Sequence, residues 1–148
     1  MFRSVNTKSL LTQSQRPKRR TPEFDHQCSL FTWARNPAVL AAHPELALLS
    51  CSLNGVKLTA AQAGKAKAAG MLKGEWDVRL PVARGPYVGL LIEMKAGKNT
   101  LTPEQKDYGL AMAREGHALT VCYDWEAAKA AILTHLALGP FGRIGSIL

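Results

Sequence analysis

The stretch from Trp76 to Lys95 alternates, and that alternation constrains the fold more than any other feature of the 148-residue chain. Two runs, Trp76–Val82 and Tyr87–Lys95, flank Ala83-Arg84-Gly85-Pro86, whose glycine and proline read as a tight turn. Side chains on a strand point to opposite faces in turn. In the second run Val88, Leu90, Ile92 and Met94 therefore share one face, and Tyr87, Gly89, Leu91, Glu93 and Lys95 the other. The first run divides likewise, with Trp76, Val78, Leu80 and Val82 against Asp77, Arg79 and Pro81. This predicts an antiparallel hairpin whose apolar face, Trp76 included, meets the core. Asp77, Glu93 and Lys95 fall together on the opposite face. A turn centred on Gly85 opposes residues whose numbers total 170, which sets Asp77 directly across from Glu93. Their Cβ atoms would then be about 4.5–5.5 Å apart.

The hairpin sits among helical signals. Thr21-Pro22-Glu23 is a helix opening, with a capping hydroxyl, a proline at the first position and an acid in the first turn. Phe24, Cys28, Phe31 and Arg35 follow at helical spacing, and the helix stops near Asn36-Pro37 or restarts to about Ala42. Leu46–Leu53 reads as a strand and Asn54-Gly55 as a turn. Thr59 caps an alanine-rich helix ending at Gly70. Thr102-Pro103 opens another helix that ends at Gly116. Ala118–Tyr123 is a strand, and Asp124 caps a last helix to about Ala137. The order is α-β-α-β-β-α-β-α, an α/β sheet flanked by helices. Residues 21–137 form the domain, between an arm at 1–20 and a tail at 138–148. That tail carries glycines and isolated apolar residues, and is read as loose or as packed on a partner.

Composition narrows the class. Half the residues are apolar or nearly so and 20% are charged, which is ordinary for a globular chain. No apolar run approaches the ~20 residues of a membrane-spanning helix, and no signal-peptide core follows the basic N-terminus. A soluble cytoplasmic protein is the resulting expectation. Cys28, Cys51 and Cys122 are scattered, with neither a disulfide framework nor a CxxC zinc pattern, and are read as buried reduced thiols. His26, His43, His117 and His135 do not cluster, and are taken as surface or helix-end residues.

Charge is uneven. Residues 1–20 hold six of the 19 Lys and Arg and no acid, leaving 13 bases against 11 acids elsewhere. A polar basic segment of this kind cannot bury enough surface to fold alone, so it is read as flexible. Arg16, Lys18, Arg19 and Arg20 at its end could neutralise DNA phosphates by counterion release, or could serve only solubility.

Two carboxylates held across a strand pair repel each other, and a bound divalent cation removes that cost. Mg²⁺ takes oxygen ligands, typically one or two carboxylates with waters and a substrate phosphate. Bound there, it would polarise a phosphoryl oxygen and help generate hydroxide. Lys95 could orient the attacking water or stabilise charge developing on phosphorus. Glu-x-Lys alone is also what an exposed strand face carries by chance. An aspartate on the facing strand at matching register weighs against that reading without removing it.

Read together, these residues resemble a known family. Glu23-x-x-x-Gln27, Gly74-x-x-Asp77, Leu91-Ile92-Glu93-Met94-Lys95 and Leu101-Thr102-x-Glu104-Gln105, with the helix running to Gly116, look like the VRR-NUC domain. That is the virus-type replication-repair branch of the PD-(D/E)XK nucleases, with a restriction-endonuclease-like mixed β-sheet flanked by helices. The resemblance spans about residues 21–137. It implies Asp77 and Glu93 as metal ligands, with the main-chain carbonyl of Met94 adding another. Lys95 would be the catalytic lysine, Glu23 an acid reaching the metal directly or through water, and Gln105 an active-site glutamine. Gln105 also completes a capping box with Thr102, so two roles compete for one side chain. Glu23 also suits a first helical turn as an acid. Where the family usually has proline or a small residue before the aspartate, this chain has Trp76.

The activity so implied is a Mg²⁺- or Mn²⁺-dependent DNA endonuclease, structure-selective on branched DNA such as a four-way (Holliday) junction, as in phage and bacterial DNA repair. A homodimer would let two sites cut paired strands. No organic cofactor and no membrane partner are implied. The alternatives are a flap nuclease and a non-catalytic DNA-binding module of the same fold.

Overall fold

A computed structural model describes residues 21–142. The arm at 1–20, with Arg16, Lys18, Arg19 and Arg20, lies outside the described residues, as do 143–148.

Four strands form one mixed sheet in the order β1-β2-β3-β4: β1 (Ser50–Cys51), β2 (Val78–Leu80), β3 (Gly89–Met94) and β4 (His117–Cys122). β1 and β3 flank β2 antiparallel, whereas β3 and β4 run parallel and are joined through α4 (Pro103–Arg114). Val78 pairs with Ile92, Arg79 with Leu91 and Leu80 with Leu90, the register that alternation and turn length predict. Every residue of β3 is buried. A central strand covered on both faces accounts for that.

One face of the sheet packs on α1 (Pro22–Ala34) and α5 (Trp125–Ala137). Leu30 and Ala34 of α1 and Ile132 of α5 are fully buried against Val78, Leu80 and Ile92. Transfer of such side chains from water stabilises by roughly 1.5–3 kcal/mol each, so this face dominates the fold. α4 packs along β4, and Gln105 in its first turn bonds Glu93 near the end of β3. α2 (Pro37–Ala42) and α3 (Ala60–Ala68) complete the helices. The expected starts hold: the side chains of Thr21, Thr59, Thr102 and Asp124 each accept from a first-turn amide.

Several expectations need correction. Leu46–Leu53 is not a strand: Pro44–Leu48 is a 3₁₀ turn, and only Ser50–Cys51 pair with β2. Leu46 and Leu49, three apart, both enter the core, so the period there is helical. Trp76 does not join the cluster beneath α1 and α5. Strand pairing begins only at Val78, so alternation does not govern Trp76, and its ring lies against Gly109 of α4. Val88 is 38% exposed because it precedes the paired segment of β3. Of the cysteines, all free, only Cys122 is buried; Cys51 is exposed on the edge strand. His135 is near a helix end yet buried, bonded at 2.7 Å to the carbonyl of Val82. The start of the tail is not loose: Gly139 accepts from the amide of Gly85, and Pro140 bridges to Arg84.

Candidate active site

The end of β3 brings the predicted hairpin residues together. Asp77, just before β2, turns its carboxylate toward β3, and Oδ2 accepts the Met94 amide at 2.9 Å. The amide of Lys95 donates the other way, to Cys122 of β4. Neighbouring peptide groups on a strand alternate edges, so the Met94 carbonyl faces the Asp77 side. Met94 lines the same pocket.

Glu93 is 1% exposed and Lys95 8%, although neither belongs to the apolar core cluster. Burying charged groups is costly unless they are paired and hydrogen-bonded, and these are. Lys95 Nζ stands 3.1 Å from Glu93 Oε1 and donates to Gln105 Oε1 at 2.8 Å. Gln105 Nε2 in turn donates to Glu93 Oε1. Glu93, Lys95 and Gln105 thus close a ring of polar contacts. Glu93 Oε2 is left buried with no hydrogen-bond partner among the described residues.

The expected competition for Gln105 does not occur. Its Oε1 accepts from the Thr102 amide at 2.9 Å as well as from Lys95, and its own amide donates to Thr102 Oγ1 at 3.2 Å. A carboxamide oxygen has two lone pairs and the NH₂ remains free to donate, so one side chain makes the capping contact and the contacts to Lys95 and Glu93 together. The capping box fixes the rotamer that meets the site.

Electrostatics follow from this crowding. Burial first, then the neighbouring Asp77 charge, pushes the Glu93 carboxyl up to about 7, against a counteracting pull from Lys95. Asp77 is raised too, again mainly by burial, with the Met94 amide and Lys95 opposing. Two adjacent carboxyls that both resist ionisation, one with an unpartnered oxygen, form a donor set of oxygens suited to a hard divalent cation.

Glu23, at the first turn of α1, lines the same pocket of about 260 Å³ and raises Asp77 through its charge. Its carboxylate accepts from Asn99 Nδ2 at 3.0 Å. Among the described residues no group of three or more His, Cys, Asp or Glu side chains is arranged to hold a metal. Gln27 also lines the pocket.

Sequence reasoning missed Asn54, Asn99 and the work of Trp76. Asn54 borders the pocket and bonds the carbonyls of Leu72 and Glu75 at 2.9 and 3.0 Å, fixing the approach to Asp77. Its only sequence signal was a turn-forming Asn-Gly pair. The indole of Trp76 donates to the Gln105 carbonyl at 2.9 Å. A larger groove, about 610 Å³, lies between α1, α2 and α5 and includes none of the predicted site residues.

Among solved structures the chain is similar to a VRR_NUC domain protein, with 27% identity, a TM-score of 0.67, and coverage of 83% of this chain and 94% of that one. No family model matches the chain, and no curated protein does. The four-stranded mixed sheet with flanking helices is thus the restriction-endonuclease-like fold of a VRR_NUC domain, as the motifs implied.

Proposed function

Starting from a VRR_NUC nuclease fold that carries Asp77, Glu93, Lys95 and Gln105 around one pocket, we propose that the chain is a Mg²⁺- or Mn²⁺-dependent endodeoxyribonuclease selective for branched DNA. The observation that carries this is the unpartnered, buried Oε2 of Glu93 beside the Asp77 carboxylate. An oxygen removed from water and left without a donor is expensive, and a cation is the ligand that relieves it.

Asp77, Glu93 Oε2 and the Met94 carbonyl would hold the ion, with Glu23 reaching it through water. When bound, the ion supplies positive charge to a phosphoryl oxygen and makes an attacking water more acidic. Lys95 has three N–H donors and gives two directions to Glu93 and Gln105, leaving a third for the phosphate or the water. Its charge would stabilise the pentacovalent phosphorus as negative charge builds on the oxygens. Gln105 keeps that amine aimed by holding it from the helix cap.

No helix among the described residues is long and apolar enough to cross a membrane. The basic arm suits phosphate-based recognition of DNA shape, and a symmetric homodimer would place two such sites on paired strands. Action in the cytoplasm of a bacterial or phage-infected cell suits such a substrate. The test is to incubate labelled four-way junction, flap, single-stranded and linear duplex DNA with Mg²⁺, Mn²⁺ or EDTA. Metal-dependent cutting, strongest on the junction and lost in Glu93→Ala with binding retained, is the expected result. Binding without cutting under every metal condition would contradict it.

A further inference from the structure

Between Glu45 and Glu75 the chain has no acid, yet it carries Lys57, Lys65, Lys67 and Lys73. Those lysines lie on the excursion that joins β1 to β2 and contains α3. Nothing about packing explains this segment. Only Ala66 of α3 is half-buried, and the remaining residues of the helix are exposed. A nine-residue helix with Gly64 in its interior is marginal alone, and here it rests on its Thr59–Gln62 capping box. Lys57, Lys65 and Lys67 are exposed, and among the described residues no ion pair engages them.

The excursion is anchored at the pocket. Asn54 and Gly55, at one foot, line it, and Asn54 bonds the carbonyls of Leu72 and Glu75 at the other foot, two residues before Asp77. Lys73 is paired with Glu104 on the first turn of α4, which pins that foot beside Gln105. A positive stretch with no acid from residue 46 to 74, its lysines exposed and its feet at the rim, complements a polyanion entering the pocket.

We infer that the β1–β2 excursion is a DNA-backbone contact surface, with Lys57, Lys65 and Lys67 neutralising phosphates that flank the cleaved bond. This rests on the nuclease reading and adds to it a contact element inside the folded domain, separate from the basic arm. The contacts carry no base sequence, since lysine meets phosphate as a point charge.

The experiment measures affinity of the full chain for labelled duplex and four-way junction DNA in EDTA, from about 50 to 200 mM salt. It compares wild type with a Lys57→Gln/Lys65→Gln/Lys67→Gln protein and with a charge-matched Arg35→Gln/Arg114→Gln/Lys129→Gln protein. Each phosphate contact adds about 0.9 to the slope of log affinity against log salt. The excursion variant is expected to bind at least roughly tenfold more weakly near 100 mM, with a slope shallower by about two to three. Its melting temperature should not move, because Lys57, Lys65 and Lys67 are exposed. The control variant should change less than about threefold. Equal effects of the two variants, or an unchanged slope in the excursion variant, would overturn the inference while leaving the nuclease reading intact. Failure of the wild type to bind any DNA would overturn both.

Discussion

The indole N–H of Trp76 donates to the carbonyl of Gln105, so the residue beside one candidate metal ligand holds the residue that holds the lysine. The contact is tight. A Cβ added to Gly109 would stand 2.8 Å from Cζ2 of the same ring. Two residues before Trp76, Gly74 has a φ of +85°, and a Cβ there would meet the Glu104 backbone at 2.6 Å. The chain leading into Asp77 is therefore fitted against the start of α4, and the bulky residue that departs from the usual family pattern is what fits it.

Trp76→Phe keeps the ring and deletes the donor. We expect a stability loss of about 1 kcal/mol and a several-fold drop in kcat with little change in KM, because Gln105 loses a restraint but no ligand is removed. Gly109→Ala pits two effects against each other. Alanine improves a helix interior by about 1 kcal/mol, whereas overpacking a buried ring costs about 1–3 kcal/mol. Since Trp76 is 5% exposed and cannot swing away, the variant should be net destabilised. Thermal melts and steady-state cutting check both, and a stabilised Gly109→Ala protein would show that the contact is loose.

Gln105→Glu separates the cap from the site. Glutamate at that position can still complete a capping box with Thr102, so helix stability should hold within about 0.5 kcal/mol. It cannot donate to Glu93, and it brings a third negative charge to a pair already resisting ionisation. Cutting should fall by about tenfold or more, and the rising limb of its pH profile should move to higher pH. An unchanged profile would assign Gln105 to capping alone.

The metal-free protein should lose stability as pH rises. Glu93 ionises at the ordinary 4.5 when unfolded and at about 7 when folded. Over that interval the native state holds a proton that the unfolded state has released, so unfolding becomes easier with pH. The stabilisation is complete below 4.5 and gone above about 7, and the shift corresponds to at most about 3–4 kcal/mol. Asp77, also raised, acts in the same direction. Melts in EDTA between pH 4.5 and 8 should show the decline, Glu93→Gln should flatten it, and Mn²⁺ affinity should climb across the same range. A rise in stability toward pH 7 that Glu93→Gln abolishes would contradict this.

Much of the hairpin was legible because two constraints agreed. A short turn fixed the register, and period-two alternation fixed the faces, so Val78–Ile92 and Leu80–Leu90 pair as counted and Glu93 and Lys95 share a side. Helix starts were legible from local capping chemistry at Thr21, Thr59, Thr102 and Asp124. What failed was tertiary. Leu46 and Leu49 are apolar under either a strand or a 3₁₀ period, and only the partners in the core decide. Trp76 lies beyond the paired strand, so its direction is set by the glycine on α4 that admits it. Asn99 meets Glu23 from 76 positions away, and no local pattern signals such a contact. His135 reads as a helix-end histidine until the Val82 carbonyl is placed beneath it.

The central claim is that Asp77 and Glu93 grip one divalent ion. Anomalous scattering from crystals soaked in Mn²⁺ tests it directly. A peak is expected about 2.0–2.2 Å from an Asp77 carboxylate oxygen and from Glu93 Oε2, facing the Met94 carbonyl, and absent in Glu93→Gln crystals. A peak bound elsewhere, or none at this pair under conditions where the protein cuts DNA, would contradict it.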